Sequence, residues 1–175
     1  MNYLAVVFLL LQVGQSAQTL KIPGAPGIYF KQDGDKWVGI PKAAAEARAK
    51  GMGLFVETGG YTNLGMDAVL RGAKSAIRIN TQKPIFYVRE IGHAKDVTLI
   101  QLTQKGKSRT FRTSSGDETI ENKQGFKKTV IRKTAVTEYP DGTYTITPEQ
   151  DLKPGEYLLV LGDAATSFDF GIDPK

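Results

Sequence analysis

The chain predicts a mainly β fold, a β-sandwich of about nine or ten short strands with one short helix. Three observations predict it. Residues 140–172 break into three apolar, alternating runs separated by turn residues. Residues 75–112 repeat the pattern in runs of four to seven residues rich in β-branched and aromatic types. Only residues 41–50 have a plainly helical composition, and they are too few for the alternating helices of a βαβ fold.

The 175 residues are 41% hydrophobic, enough for one domain of ordinary size. No cysteine is present, which excludes disulfides, thiolate metal sites and a cysteine nucleophile. The apolar run from Tyr3 to Val13 is too short to span a bilayer as a helix, which needs about 20 residues. It suits the central region of a secretory signal, although no Lys or Arg precedes it. Gly14 and Ser16, or Gln15 and Ala17, would flank the cleavage site, the first pair fitting the small-residue rule better. The expected organisation is a signal peptide over 1–17, a linker over 18–27 and a single β-sandwich domain over 28–175, secreted or periplasmic after cleavage.

Taken in order, Pro23, Gly24, Pro26 and Gly27 mark the linker as extended. Ile28-Tyr29-Phe30 and Lys36-Trp37-Val38-Gly39-Ile40 flank an Asp-Gly turn, a strong hairpin signal. The Asp33 and Asp35 pair lacks the downstream carboxylate that a calcium loop requires. In residues 41–50, Pro41 suits a helix start and Gly51 its stop, so a short surface helix is expected. Glycines interrupt residues 51–76, which read as twisted, bulged strands, with a helix at 64–71 as the alternative.

Four strands then follow, around Ala76 to Ile79, Pro84 to Arg89, Val97 to Thr103 and Arg109 to Arg112, the last two joined by a turn at Gly106. Residues 113–125 read as a polar loop and residues 127–138 as one more strand. Tyr144 and Ile146 alternate with threonines in the next. After Lys153-Pro154-Gly155, residues 156–161 are apolar on both faces, as a buried central strand is. Phe168, Phe170 and Ile172 alternate with Ser167, Asp169 and Gly171, which puts Asp169 on the face opposite the aromatics. These last three runs read as a meander.

The aromatic opening hairpin, Arg71-Gly72-Ala73-Lys74-Ser75, Pro84-Ile85-Phe86-Tyr87, Ser108-Arg109-Thr110-Phe111 and Leu152-Lys153-Pro154-Gly155-Glu156-Tyr157 occur in an order that resembles uncharacterised exported β-sandwich proteins of soil bacteria. The resemblance covers most of residues 28–162 and implies no activity. The L-x-P-G-x-Y stretch is also similar to the penultimate turn of transthyretin-like and immunoglobulin-like modules, which implies a sandwich of that type.

Candidate chemistry is sparse. Gly106-Lys107-Ser108 matches the end of a phosphate loop, but Gln101 stands where that motif needs glycine and strands lie on both sides. His93 is the single histidine, so a zinc site would need carboxylates alone, and no metal or other cofactor is expected. No G-x-S-x-G elbow presents a serine, and Asp117, Glu118, Glu121, Asp163, Asp169 and Asp173 lack the apolar surroundings that would raise a catalytic pKa.

Charge is unevenly spread over a net +5: residues 103–137 hold nine basic and three acidic side chains, residues 138–175 two and eight. Intramolecular complementarity between the two blocks is the simplest outcome. Lys105, Lys107, Arg109, Arg112, Lys127, Lys128, Arg132 and Lys133 form the candidate binding surface, for an envelope protein or an anionic glycan; the alternative is a charged strand edge that discourages pairing. Nucleic acid is not expected, because no aromatics are interleaved with these cations. The expected role is a non-enzymatic interaction or structural module of the cell envelope. A carbohydrate-binding or enzyme-accessory module using Tyr29, Trp37 and Tyr61 is the alternative, and a hydrolase the third.

Overall fold

The aromatic opening segments pair as their Asp-Gly turn predicts: β1 (Gly27–Gln32) and β2 (Lys36–Ile40) run antiparallel with Ile28 opposite Ile40 and Lys31 opposite Trp37. The structure is a computed structural model, and it describes residues 21–32, 36–49, 66–112, 126 and 128–173. The expected signal peptide, the Asp33 and Asp35 turn, and the polar loop at 113–125 lie outside the described residues. So does most of the ambiguous stretch before Met66. In the linker, Ile22 is buried and the first strand begins at Gly27.

The remaining strands are β3 (Ala45–Ala49), β4 (Met66–Arg71), β5 (Arg78–Ile79), β6 (Phe86–Arg89), β7 (Val97–Gln101), β8 (Thr103–Lys105) and β9 (Ser108–Arg112). After them come β10 (Ile131–Arg132), β11 (Thr134–Glu138), β12 (Tyr144–Pro148), β13 (Gly155–Leu161) and β14 (Asp163–Ile172). Three sheets result, with strand orders β11-β12-β6-β1-β2, β10-β7-β13-β14-β5 and β3-β4-β9-β8. Among the described residues all strand pairings are antiparallel except that of β14 with β5, which is parallel.

The second sheet is buried on both faces. On one side Leu99, Tyr157, Leu159, Phe168 and Phe170 meet Ile28, Phe30, Phe86, Val88 and Ile146 of the first sheet. On the other, Ile100, Leu158 and Val160 meet Leu70 and Phe111 of the third sheet together with Phe126. This is why residues 156–161 lack polar alternation: β13 is central, and both of its faces are core. Phe170 stacks on Tyr157 with ring centroids 5.5 Å apart and tilts against Phe86, so aromatic contacts span the first interface.

Several expectations are corrected. The expected helix over 41–50 does not form in the described residues 41–49. Ala45–Ala49 is strand β3, paired along β4 from Ala45 opposite Leu70 to Ala49 opposite Met66. So short an alanine segment gains little as an isolated helix, and an open sheet edge outbids its propensity. Pro41 and Lys42 lead the chain past the second sheet, where Lys42 bridges Phe168 and the Ala43 N–H donates to the Ser167 carbonyl. Within the 64–71 stretch, Met66–Arg71 is a strand.

Residues 140–172 are not one meander, because β12 pairs with β11 and β6 in the first sheet while β13 and β14 lie in the second. Residues 149–154 carry the chain across, with the Leu152 N–H donating to the Gln82 carbonyl. The single strand expected over 127–138 is not continuous either: in its described part a 3-10 turn at Lys128–Val130 leads into β10 of the second sheet and then β11 of the first. Fourteen strands are present among the described residues, more than expected, since sequence runs read as single strands divide between sheets.

Candidate functional site

Arg109, one of the eight candidate binding residues, is not on the surface. Its side chain is 5% exposed and reaches β14, where Nη1 donates to Asp169 Oδ2. Arg109 Nε donates to the Gly72 carbonyl and Nη2 to the Arg71 carbonyl, each at 3.0 Å, so the Arg-Gly-Ala-Lys-Ser segment curls around the guanidinium. Arg109 Nη1 also lies 3.5 Å from Glu156 Oε2.

Glu156 is the hub of this cluster. Its carboxylate, 5% exposed, accepts from the Ser75 N–H at 2.7 Å and from Arg78 Nη1 at 2.6 Å. Arg78 also donates through Nε and Nη2 to Asp173 Oδ1, at 3.1 and 2.6 Å. Ser75 Oγ donates to the Asp169 carbonyl and accepts from the Ile77 N–H. The hydrogen bond from Arg78 holds Asp173 below the usual carboxylate range, and the same pairing raises Arg78. Two guanidinium groups thus neutralise carboxylates from the acidic end of the chain, as the burial of Arg109 and Glu156 demands. The cluster binds the third sheet to the second. Its chemistry is consumed by internal pairing.

The other candidate cations divide between two places. Lys105 and Lys107 are exposed at the β8–β9 turn, where Gly106 has φ +54° and Ser108 Oγ donates back to the Lys105 carbonyl. That turn joins two strands, so Gly106-Lys107-Ser108 is a hairpin and not a phosphate loop. Arg132 and exposed Lys133 lie at the β10 edge of the second sheet, beside an open groove of about 540 Å³ that Glu149, Asp151, Lys153 and Tyr157 also line. Arg132 Nη1 donates to the carbonyls of Thr129 and Ile131, and Nη2 to Gln101 Oε1, which fixes the guanidinium at the groove wall. Lys128 is exposed in the short turn before β10. Lys127 and the Arg112 side chain lie outside the described residues.

His93 is exposed and lines a second depression, of about 520 Å³, with Lys95, Asp96, Glu138 and Tyr139. No group of three His, Cys, Asp or Glu side chains among the described residues could hold a metal ion. At the floor of this depression Tyr144 donates to the Ile91 carbonyl at 2.9 Å, and burial pushes its phenol up to about 12.

Of the candidate sugar platform, Tyr29 and Trp37 sit together on the solvent face of the first sheet, and Tyr61 lies outside the described residues. Trp37 is half-buried and is not coplanar with a tyrosine: it meets Tyr87 edge-on, at 4.9 Å and 87°, with Lys31 Nζ 5.3 Å from its ring centre. Tyr87 and Arg89 share this face and escaped sequence reasoning, because only the register of β6 beside β1 brings them there. Arg78 and Glu156 escaped it too. The available signal was a lone arginine in a short apolar strand and a lone glutamate heading an apolar one.

No family model, no curated protein and no solved structure matches this chain. No helix among the described residues is long and apolar enough to cross a membrane.

Proposed function

We propose that the protein is an exported interaction module of the cell envelope, periplasmic or extracellular, that holds an anionic partner on its lysine-bearing edges. One observation supports the reading. The acidic end of the chain spends Glu156, Asp169 and Asp173 internally on Arg78 and Arg109, whereas Lys105, Lys107 and Lys133 stay exposed. Internal complementarity accounts for Arg109 and leaves these lysines to act on something outside. The signal-like N-terminus and the resemblance to exported β-sandwich proteins of soil bacteria point to the same compartment. The turn at Lys153-Pro154-Gly155 favours an immunoglobulin-like or transthyretin-like arrangement within the β class.

The test is capture from native envelope extract by the protein as its host processes it, at low and high salt, beside a variant with Lys105, Lys107 and Lys133 all changed to Gln. A single protein or glycan that is released by salt and lost to the variant supports the reading. Retention of nothing specific, or retention indifferent to the three lysines, removes it.

A further inference from the structure

We propose that the β11 edge of the first sheet is a self-association site, where a second copy of this chain adds its own β11 antiparallel about a two-fold axis at Val136. The proposal goes beyond the anionic-partner reading, since the dimer forms with no other molecule present.

Hydrogen bonding shows which backbone groups face away from the sheet. Among the described residues β11 pairs with β12 alone. The Glu149 N–H donates to the Lys133 carbonyl and the Tyr139 N–H to the Thr143 carbonyl, so the odd-numbered residues of β11 turn their backbone groups toward β12. Thr134, Val136 and Glu138 turn theirs away from it. Open depressions of about 260 and 520 Å³, lined by Thr134 at one end of the strand and Glu138 at the other, leave this edge accessible.

An unpaired strand edge is a template for another strand unless something blocks it, and the other sheet edges are blocked. Strands β5 and β10 are two residues long and β8 three, while β2 carries Lys36 and β3 carries Arg48. In contrast, β11 runs Thr134-Ala135-Val136-Thr137-Glu138 without proline or cation, and its one charge lies at the end. Its pairing with β12 is unbroken by a bulge.

Register and charge choose the occupant. With Val136 opposite Val136 of the second copy, Thr134 stands opposite Glu138, and every outward N–H and C=O meets its complement. Val136 packs against the core in each copy, so the covered faces of the two sheets coincide. Ala135 meets Thr137 on the solvent side, and no like charges are directly opposed. Lys133 and Glu138, at the two ends, are exposed and form no ion pair among the described residues. Around Thr134 the depression carries Arg132 and Lys133 against Glu149; around Glu138 it carries Glu138 and Asp96 against Lys95, with His93 neutral. Antiparallel pairing therefore sets the basic end of each copy beside the acidic end of the other, whereas parallel pairing would set like beside like.

The test is sedimentation equilibrium of the protein as its host processes it. Between roughly 1 and 300 µM a monomer–dimer equilibrium is expected, with Kd on the order of 10 µM because such a seam buries less than a standard interface. Glu138→Lys and Lys133→Glu should each raise Kd about tenfold or more, and the double variant, which exchanges the two charges, should restore it. Thr134→Pro removes an outward N–H, leaves the β12 ladder intact and should abolish the dimer. A monomer at every concentration overturns the proposal, as does a dimer indifferent to the single charge variants or one that the double variant fails to restore. Circular dichroism monitors the fold, and if Thr134→Pro unfolds, the charge exchange on two exposed side chains decides alone.

Discussion

The Arg78 guanidinium occupies the space that a side chain at Gly171 would need: a Cβ built there would stand 1.7 Å from Nη1. The two residues are register partners across the parallel β5–β14 pair, and the missing side chain lets Arg78 lie against the strand and reach both Glu156 and Asp173. Gly171→Ala should therefore act as a loss of the ion pair as much as a steric clash. Urea unfolding should show a loss of roughly 3 kcal/mol or more, the scale of a broken buried pair. Arg78→Met should cost less, since it removes the pair without the clash. Asp173, whose carboxyl is depressed from its ordinary 3.8, adds stability that is present above that value and lost as pH falls through its lower folded pKa. Asp173→Asn should flatten that acid limb.

Arg109 offers a sharper test, because it is buried and, among the described residues, is the guanidinium that reaches the partly buried Asp169. Arg109→Met should destabilise by about 3–5 kcal/mol, leaving Asp169 and part of Glu156 without a counter-charge. Arg109→Lys should recover little of the loss, since one ammonium cannot serve Gly72, Arg71 and Asp169 in the geometry of the planar fork. Denaturant midpoints of the two variants, measured side by side, check this.

Two glycines with similar backbone angles should respond differently. Gly92 has φ +60°, and a Cβ there would lie 2.7 Å from Leu161 Cβ; Gly106 has φ +54° and nothing within 4 Å. Gly106→Ala should cost about 1–2 kcal/mol, the penalty of the left-handed conformation alone. Gly92→Ala should cost about 1–3 kcal/mol beyond that, since Leu161 sits in the core and cannot yield freely. Thermal melts of the two variants should rank in that order.

Tyr144 makes the fold sensitive to alkali. Its ordinary pKa of 10.0 is pushed to about 12 by burial, so between those values the unfolded chain gives up a proton that the folded chain keeps. Stability present below pH 10 is then lost as pH rises, by up to about 1.4 kcal/mol per pH unit across that window. Tyr144→Phe should remove this component, at a cost near neutrality of about 1 kcal/mol for the hydrogen bond to the Ile91 carbonyl. Stability measured against pH, with phenolate absorbance followed in parallel, would show whether the slope disappears.

Most strands are legible in the sequence. Period-two alternation at Tyr144 and Ile146, the Asp-Gly hairpin and the unbroken apolar run of β13 all report local burial, which a strand records in its own residues. The alanine-rich segment departs from its helical composition because that is a weak local preference, and β4 offers it an edge. The candidate site was legible only in composition. A cluster of cations was visible, but nothing local distinguished Arg109, which is buried, from Lys107, which is not.

The sequence by itself determined that the chain is β-rich, where most strands run and which face of each is apolar, because these properties depend on neighbours one or two residues away. Only the tertiary structure decided which sheet each strand joins, that the second sheet is covered on both sides, and which charges are spent internally. Arg78 is 78 residues from Glu156, and Arg109 is 60 from Asp169. Pairings at such separations follow from register and packing between whole sheets, and no local pattern encodes them.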